Sequence, residues 1–211
     1  MAERTRVTPS PRSFACDLAT LCAPTLAGLK PASLFRYQPA PGQDAADMAA
    51  AWHAALAPRG VTVRVLKQCP RTGAVLVYVY RPARVARLLA DPGTLDFLAG
   101  EGYALGNADA LLNQLADRLC CEGEFPHEIG VFLGYPLADV IGFIENRGKN
   151  FTACGYWKVY TDPTAAQAEF DRYKKCERIY ARCYYNGTPI RRLTVAAGRC
   201  TIKNVQRSSL L

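Results

Sequence analysis

Residues 125–160 constrain the fold more than any other part of this chain. The apolar run at residues 129–133 has the length of a buried strand, and a Gly-Tyr-Pro turn breaks it. Apolar side chains then recur at helical spacing, at Leu137, Val140, Ile141 and Ile144. Residues 155–160 are again apolar and aromatic, which predicts a second strand. The segment therefore predicts a strand, a helix and a strand that form a right-handed parallel crossover.

The rest of the chain predicts one hairpin and several helices. Residues 61–67 and 74–81 are rich in β-branched and aromatic side chains and flank a turn with Pro and Gly, which predicts a β-hairpin. Helical spacing between capping residues, Pro and Gly predicts helices in five stretches, at residues 13–35, 44–56, 82–98, 107–121 and 162–185. In the first of these stretches we expect two helices, the second ended or bent at Pro31.

These elements predict an α/β (or α+β) fold. Two hairpin strands and two crossover strands make a mixed sheet of about four strands, flanked by helices. We expect a single domain over residues 13–196. Residues 1–12 and 198–211 are expected to be flexible tails.

The composition favours a globular protein of the cytoplasm. Hydrophobic residues make up 50% of the 211 positions, enough for a full core. No apolar run approaches the roughly 18 residues of a membrane helix, and the first residues lack the apolar centre of a signal peptide. We therefore predict a cytoplasmic location without a membrane partner. The nine cysteines contain no C-x-x-C pair and are expected to be free thiols in a reducing compartment.

The net charge of +8 comes from the end of the chain. Residues 171–211 hold ten Lys or Arg against Asp171 and Glu177, so the preceding residues are neutral overall. On the predicted helix at 162–185 the basic side chains lie away from the apolar stripe. A basic face with nearby tyrosines suits phosphate contacts and base stacking, so nucleic-acid binding is one interpretation. A solvated helix surface is the other.

Two motifs resemble an uncharacterised bacterial family. They are F-P-H-E-I-G-V-F-L-G-Y-P-L-A-D-V-I-G-F-I-E-N-R-G-K-N followed by G-Y-W-K-V-Y, and C-A-P-T-L-A-G-L-K-P-A-S-L-F at residues 22–35. Both are similar to the domain of unknown function numbered 3793, and the similar segments span residues 13–196. The resemblance implies no assigned activity. It implies a place in anaerobic bacteria among iron-uptake and flavodoxin genes, and hence a redox or iron-handling protein partner.

His127 and Glu128 precede the predicted strand at 129–133 and are candidates for catalysis. The form H-E-I-G-V-F-L-G is similar to the His-bearing strand of NlpC/P60-type cysteine peptidases, in which the histidine activates a thiolate earlier in the chain. That resemblance implies Cys22 as nucleophile, His127 as base and Glu128 as its orienting partner. The helix predicted to start at Pro24 would lower the pKa of the Cys22 thiol. The structural alternative is that His127 and Glu128 hold a strand end by hydrogen bonds.

Cys120, Cys121, His127 and Glu128 form a candidate metal site. Thiolate, imidazole and carboxylate are ligands for zinc or iron. The spacing matches no ordinary zinc finger, and packing at a helix end is the structural alternative for the two cysteines. No cofactor follows from the sequence.

Gly134, Tyr135 and Asp162 are candidate ligand-binding residues. They follow the two predicted strands, and parallel crossovers bind ligands beyond the carboxyl ends of their strands. Backbone N–H groups at a helix start are suited to hold an anion there.

Tyr156 and Lys158 are further candidates for ligand binding. In a regular strand they share one face, and Trp157 lies on the opposite face. They form either a ligand platform or the half-exposed face of a core strand.

Three functions follow from these patterns. The first is a cytoplasmic accessory or binding protein of anaerobic metabolism, linked to iron or redox handling and without catalysis. The second is a cysteine-dependent hydrolase or acyltransferase that uses Cys22 and His127. The third is nucleic-acid binding through the basic region near the end of the chain.

Overall fold

The structure, a computed structural model, describes residues 13–120 and 125–197. These residues form ten α-helices and five β-strands. The helices are α1 (Phe14–Leu21), α2 (Ala23–Leu26), α3 (Ala45–Leu56), α4 (Pro82–Leu89), α5 (Pro92–Gly100), α6 (Ala108–Arg118), α7 (Ile129–Phe132), α8 (Leu137–Glu145), α9 (Pro163–Tyr185) and α10 (Ile190–Leu193). The strands are β1 (Ala32–Tyr37), β2 (Thr62–Gln68), β3 (Val75–Tyr80), β4 (Ala153–Cys154) and β5 (Lys158–Val159).

Strand β3 is the centre of a three-stranded antiparallel sheet. β1 pairs with one edge of β3 and β2 with the other, so Tyr80 lies opposite both Ala32 and Thr62. β4 and β5 form a two-stranded antiparallel ribbon in which Cys154 pairs with Lys158. The β1–β3–β2 order makes β1 and β2 the two edges of the larger sheet.

Helices cover both faces of the three-stranded sheet. The three valines of β3 point into a first core cluster, which residues of α1, α2, α3, α9 and α10 complete. Leu76, Tyr78 and Tyr80 alternate with those valines and point into a second core cluster, completed by α4, α5, α6, α7 and α8. Because both faces are covered, β3 is buried along its whole length.

The mixed class of helices and strands, with helices flanking the sheet, is confirmed. The predicted hairpin is β2 and β3. The helices predicted at 44–56 and 162–185 are α3 and α9, and each begins at an aspartate that caps it. Asp44 accepts hydrogen bonds from the N–H groups of Ala46 and Asp47, and Asp162 caps α9 in the same way. The helical spacing that starts at Leu137 is α8.

The strand predicted at residues 129–133 is wrong, and with it the parallel crossover. Four of these residues form the helical turn α7. A short apolar run fits a buried strand or a buried helix equally well, so its periodicity does not separate the two. The hydroxyl of Tyr78 donates a hydrogen bond of 2.6 Å to the carbonyl oxygen of Phe132, which fastens α7 to the central strand.

The predicted strand at 155–160 is reduced to the two residues of β5, which pair antiparallel with β4. The mixed sheet of about four strands is therefore corrected to three antiparallel strands and a separate ribbon. The strand missing from the prediction is β1, which follows Pro31 in the stretch expected to be helical. Pairing with β3 decides its conformation, since tertiary context overrides local propensity.

The predicted flexible tails, residues 1–12 and 198–211, lie outside the described residues, and so does Cys121. The single domain expected over residues 13–196 stays a prediction. Within the described residues, no helix combines the length and the apolar character needed to cross a membrane.

Candidate ligand-binding site

A pocket of about 170 Å³ opens between α7, α8 and the β4–β5 ribbon. Its walls are mostly ring and aliphatic side chains, and four of the lining side chains are ionisable. The lining residues are His127, Ile129, Gly130, Tyr135, Asp139, Val140, Phe143, Trp157 and Lys158. We call this space the aromatic pocket. Small concave sites with apolar walls and a few polar groups are typical of ligand binding.

A tight turn between α7 and α8 places one wall of the aromatic pocket. Gly134 has a φ of +78°, and a Cβ atom added there would lie 2.1 Å from Cγ of Pro31. Only glycine fits both the left-handed conformation and this close approach. The turn therefore packs directly on the segment before β1, and it directs Tyr135 into the pocket.

Asp139 in the first turn of α8 holds the ribbon side of the pocket. Its side chain is buried, with 2% exposure. Oδ2 accepts a hydrogen bond of 2.8 Å from Nε1 of Trp157. Oδ1 accepts bonds from the N–H groups of Tyr160 (2.8 Å) and Thr161 (3.0 Å) and from the Thr161 hydroxyl (2.8 Å). Both oxygens are thus occupied, and the carboxylate orients Trp157.

Close packing of α8 on the ribbon depends on a second glycine. A Cβ atom added at Gly142 would lie 2.7 Å from Cβ and Cγ of Tyr160. This glycine is helical, so its role is space and not an unusual backbone angle. Asp139 and Gly142 lie three residues apart and therefore on the same side of α8.

Two ring pairs line the aromatic pocket. Tyr135 and Trp157 stack with centroids 5.2 Å apart and planes inclined by 30°. His127 and Phe143 meet edge to face, with centroids 4.9 Å apart. Trp157 and Phe170 of α9 also meet edge to face, with centroids 4.5 Å apart. His127 is exposed at the rim, and its imidazole makes no hydrogen bond to another described residue.

Lys158 is the cation of the aromatic pocket. Its Nζ donates a hydrogen bond of 2.7 Å to the carbonyl oxygen of Gly148. The same atom lies 4.9 Å from the ring centroid of Phe151 and 5.5 Å from that of Phe143. Among the described residues no carboxylate forms an ion pair with it. An ammonium group has three N–H donors, so two remain for a ligand.

A second lysine lies next to the wall of the pocket. Nζ of Lys30 is 4.9 Å from the centroid of the Tyr135 ring, and the side chain is buried, with 6% exposure. Burial lowers the pKa of the Lys30 ammonium from 10.5 to about 8, although the nearby Cys22 and Glu177 act in the opposite direction. Below that pH the site therefore has a second positive charge close to Tyr135.

Glu128 does not face the pocket. Its carboxylate oxygen Oε1 accepts a hydrogen bond of 3.1 Å from the Tyr103 hydroxyl and forms an ion pair of 3.4 Å with Arg118. The residue is buried at the start of α7. These bonds connect α7 to the end of α6. Glu128 therefore has the structural role considered for it above, except that it holds the start of a helix and not the end of a strand.

Cys22 lies in the first core cluster and has no solvent exposure. Burial raises the pKa of its thiol, so the sulfur is protonated at neutral pH, which is the opposite of an activated nucleophile. His127 lines the aromatic pocket beside Ile129 and Val140, which belong to the second core cluster. The pairing of Cys22 with His127 stays a prediction, and it requires Cys22 to become exposed.

The proposed metal ligands are only partly described. Cys120 is half-buried at the end of residues 13–120, and Cys121 lies outside the described residues. Over residues 13–120 and 125–197 the structure contains no group of three His, Cys, Asp or Glu side chains arranged to hold a metal. The complete set, with His127 and Glu128, therefore stays a prediction.

The other predicted ligand residues divide into two groups. Tyr135 and Lys158 line the aromatic pocket together with His127. Gly134 serves the turn described above, and Asp162 caps α9 through the N–H groups of residues 164 and 165. Tyr156 packs on Phe170, with ring centroids 5.8 Å apart.

Asp139, Phe143 and Trp157 are pocket residues that sequence reasoning missed. The alternation rule placed Trp157 on the face opposite Lys158, but the ribbon turns at Trp157 and both side chains line one pocket. Asp139 is the single acidic residue in the otherwise apolar residues 137–144 of α8. A first-turn aspartate also suits the helix dipole, so that position alone does not indicate a buried network.

The predicted faces of α9 are present. Phe170, Tyr173, Cys176 and Tyr180 are buried in the core clusters. The basic side chains that project away from them are all exposed, and they are Arg172, Lys174, Lys175, Arg178 and Arg182. We call these five residues the basic face of α9.

Comparison with known proteins identifies a family and nothing more specific. The sequence model of the family described as "Protein of unknown function (DUF3793)" matches residues 18–194. No curated protein and no solved structure matches the chain.

Proposed function

We propose that the chain, which belongs to the DUF3793 family of proteins of unknown function, is a non-catalytic protein that binds a small ligand in the aromatic pocket. One observation carries this proposal. Ring side chains from four separate positions, His127, Tyr135, Phe143 and Trp157, meet around an open space. A ligand that covers these rings removes their apolar surface from water, which stabilises the bound state.

The ionisable groups around the pocket favour binding over catalysis. Both oxygens of Asp139 already accept hydrogen bonds, and Glu128 is paired with Arg118. A general base needs a free acceptor within reach of the substrate. His127 has such an acceptor, but the thiol that it would activate, Cys22, is enclosed in the first core cluster.

The wider context of the proposal is a reducing compartment of a bacterial cell. Cys16, Cys22, Cys154, Cys176 and Cys183 are free thiols, as expected where thioredoxin and glutathione keep cysteines reduced. We propose that the protein is cytoplasmic and serves anaerobic metabolism as an accessory to redox or iron handling. We also propose that it interacts with a redox or iron-handling protein.

Ligand-detected NMR tests the binding proposal. Saturation transfer from the protein to a panel of neutral and charged one-ring compounds should identify ligands that are recovered chemically unchanged. Phe143→Ala should abolish the transfer because it removes one wall of the pocket. Phe97→Ala is the matched control, since Phe97 is a half-buried phenylalanine of α5 outside the pocket. Equal loss in both variants, or no transfer with any compound, would refute the assignment of the site.

The link to iron or redox chemistry needs a separate measurement. The full-length protein is purified without oxygen, and its metal content and absorption spectrum are recorded. If the link to iron or redox chemistry is correct, a substantial fraction of the chains should contain a bound metal or coloured cofactor. Less than about 0.1 metal ion or cofactor per chain would refute the link to iron, because a functional site with useful affinity stays filled during purification.

A further inference from the structure

The charges around the aromatic pocket restrict which ligands it accepts. The argument rests on the proposed function, that the pocket binds a small ligand. Lys158 places its ammonium between the rings of Phe143 and Phe151, with Gly148 as its single hydrogen-bond acceptor in the described residues. A half-buried cation with spare donors gains from an anionic partner, because a charge-assisted hydrogen bond is about twice as strong as a neutral one.

No carboxylate of the described lining is free to receive a cationic ligand. Asp139 is the acidic residue of the lining, and its two oxygens accept four hydrogen bonds in total. Aromatic cages bind quaternary ammonium groups through ring faces, but here Lys158 would repel such a ligand. Lys30, next to the Tyr135 ring, adds to that repulsion.

The size of the pocket limits the ligand to one ring with a short substituent. Its volume is about 170 Å³. An apolar cavity of about 150 Å³ takes up benzene, so the aromatic pocket has room for one ring, and a short substituent lies at its open side. We infer that the aromatic pocket binds a one-ring aromatic anion of the arylcarboxylate type, with its ring against Tyr135, Trp157 and Phe143 and its anionic group on the ammonium of Lys158.

The test uses three ligands of matched size and different charge. Benzoate is the anion, benzyl alcohol the neutral analogue and benzylamine the cation. Binding is followed by the fluorescence of Trp157, in full-length protein in which Trp52→Phe removes the other tryptophan. We expect benzoate to bind with a Kd of about 1 mM, as suits a ligand of so few atoms. Benzyl alcohol should bind about tenfold more weakly, and benzylamine more weakly still.

Lys158→Met keeps the aliphatic stem and removes the charge. It should weaken benzoate binding about tenfold and leave benzyl alcohol binding unchanged, which also shows that the variant has kept the pocket. Lys158→Arg should restore the preference for benzoate. Lys149→Met is the matched control, because Lys149 is exposed and does not line the pocket.

The results distinguish the inferred preference for an anion from the proposed function, small-ligand binding, on which it rests. If benzyl alcohol or benzylamine binds as tightly as benzoate, or if Lys158→Met leaves benzoate binding unchanged, the pocket binds ligands but the inferred charge is wrong. If none of the three compounds binds at ligand concentrations of about ten times the Kd expected for benzoate, the aromatic pocket is not a site for one-ring ligands. Both the inference and the proposed function then fail.

Discussion

Replacement of Lys30 by methionine should stabilise the protein. The Lys30 ammonium is buried, and its pKa is lowered from 10.5 to about 8. At about 1.4 kcal/mol per pKa unit, this difference makes the charged form about 3 kcal/mol less stable in the folded state than in the unfolded chain. The contact with the Tyr135 ring is already part of that net difference, and imperfect packing of a new side chain offsets about 1 kcal/mol of the gain. Methionine has a similar shape and no charge, so Lys30→Met should gain about 2 kcal/mol at neutral pH.

The stability gain of Lys30→Met should depend on pH. Between the folded pKa of about 8 and the unfolded pKa of 10.5, the unfolded chain binds more protons than the folded protein at Lys30. The free energy of unfolding of the wild type therefore rises with pH in that interval through this group. Below about pH 8 the full penalty is present, and above about pH 10.5 it is gone. The difference between variant and wild type should shrink accordingly.

Urea unfolding followed by circular dichroism measures this difference. Both proteins are kept reduced and are compared from about pH 7 to about pH 10, which spans most of the expected change. Buried tyrosines and thiols with raised pKa values lower the stability of both proteins at high pH, and their effect cancels in the difference. Lys149→Met should show no gain, since that lysine is exposed. A Lys30→Met variant that is less stable than the wild type at neutral pH, or a gain that does not vary with pH, would refute the reasoning.

Three further expectations follow from the structure. Asp139→Asn should destabilise the protein by about 2 kcal/mol in urea unfolding, because its amide nitrogen cannot accept the Trp157 bond that Oδ2 accepts. In thiol labelling with mass-spectrometric mapping, the exposed Cys154 should react at once and the buried Cys22 only at the rate of unfolding; equal rates would revive the hydrolase alternative. Oligonucleotide binding by the basic face of α9 should vanish near physiological ionic strength. Binding at about micromolar Kd in that salt, lost on neutralising the basic face, would make nucleic acid the first candidate ligand.

The parts of the fold that were predicted correctly are those set by local chemistry. Asp44 and Asp162 indicate where α3 and α9 begin, because an aspartate before a helical pattern accepts hydrogen bonds from the free N–H groups of the first turn. The β2–β3 hairpin joins two neighbouring segments, so its strands pair across one turn. In each case the residues that decide the structure are close together in the sequence.

The errors concern segments whose structure is decided by distant partners. β1 forms because β3 offers it an open edge, with Ala32 opposite Tyr80, and nothing within residues 32–37 indicates that pairing. Residues 129–132 become helical where the Tyr78 hydroxyl meets the Phe132 carbonyl oxygen, and these two residues are 54 positions apart. Hydrophobic periodicity over five residues does not contain this information.

The sequence did not predict the aromatic pocket, for a similar reason. Three of its lining residues were candidates for separate sites: His127 for catalysis or a metal, Tyr135 for a ligand beyond a strand end, and Lys158 for a ligand platform on a strand face. In the structure the pocket depends on Asp139, which accepts bonds from residues 18 to 22 positions later and so bends the ribbon onto α8. A carboxylate whose four bonds all go to one distant segment helps to fix that segment's position, and here Asp139 holds Trp157 against Tyr135. The arrangement of this site is therefore a property of the buried network, and changes at Asp139 should alter ligand binding even though its own oxygens are unavailable to a ligand.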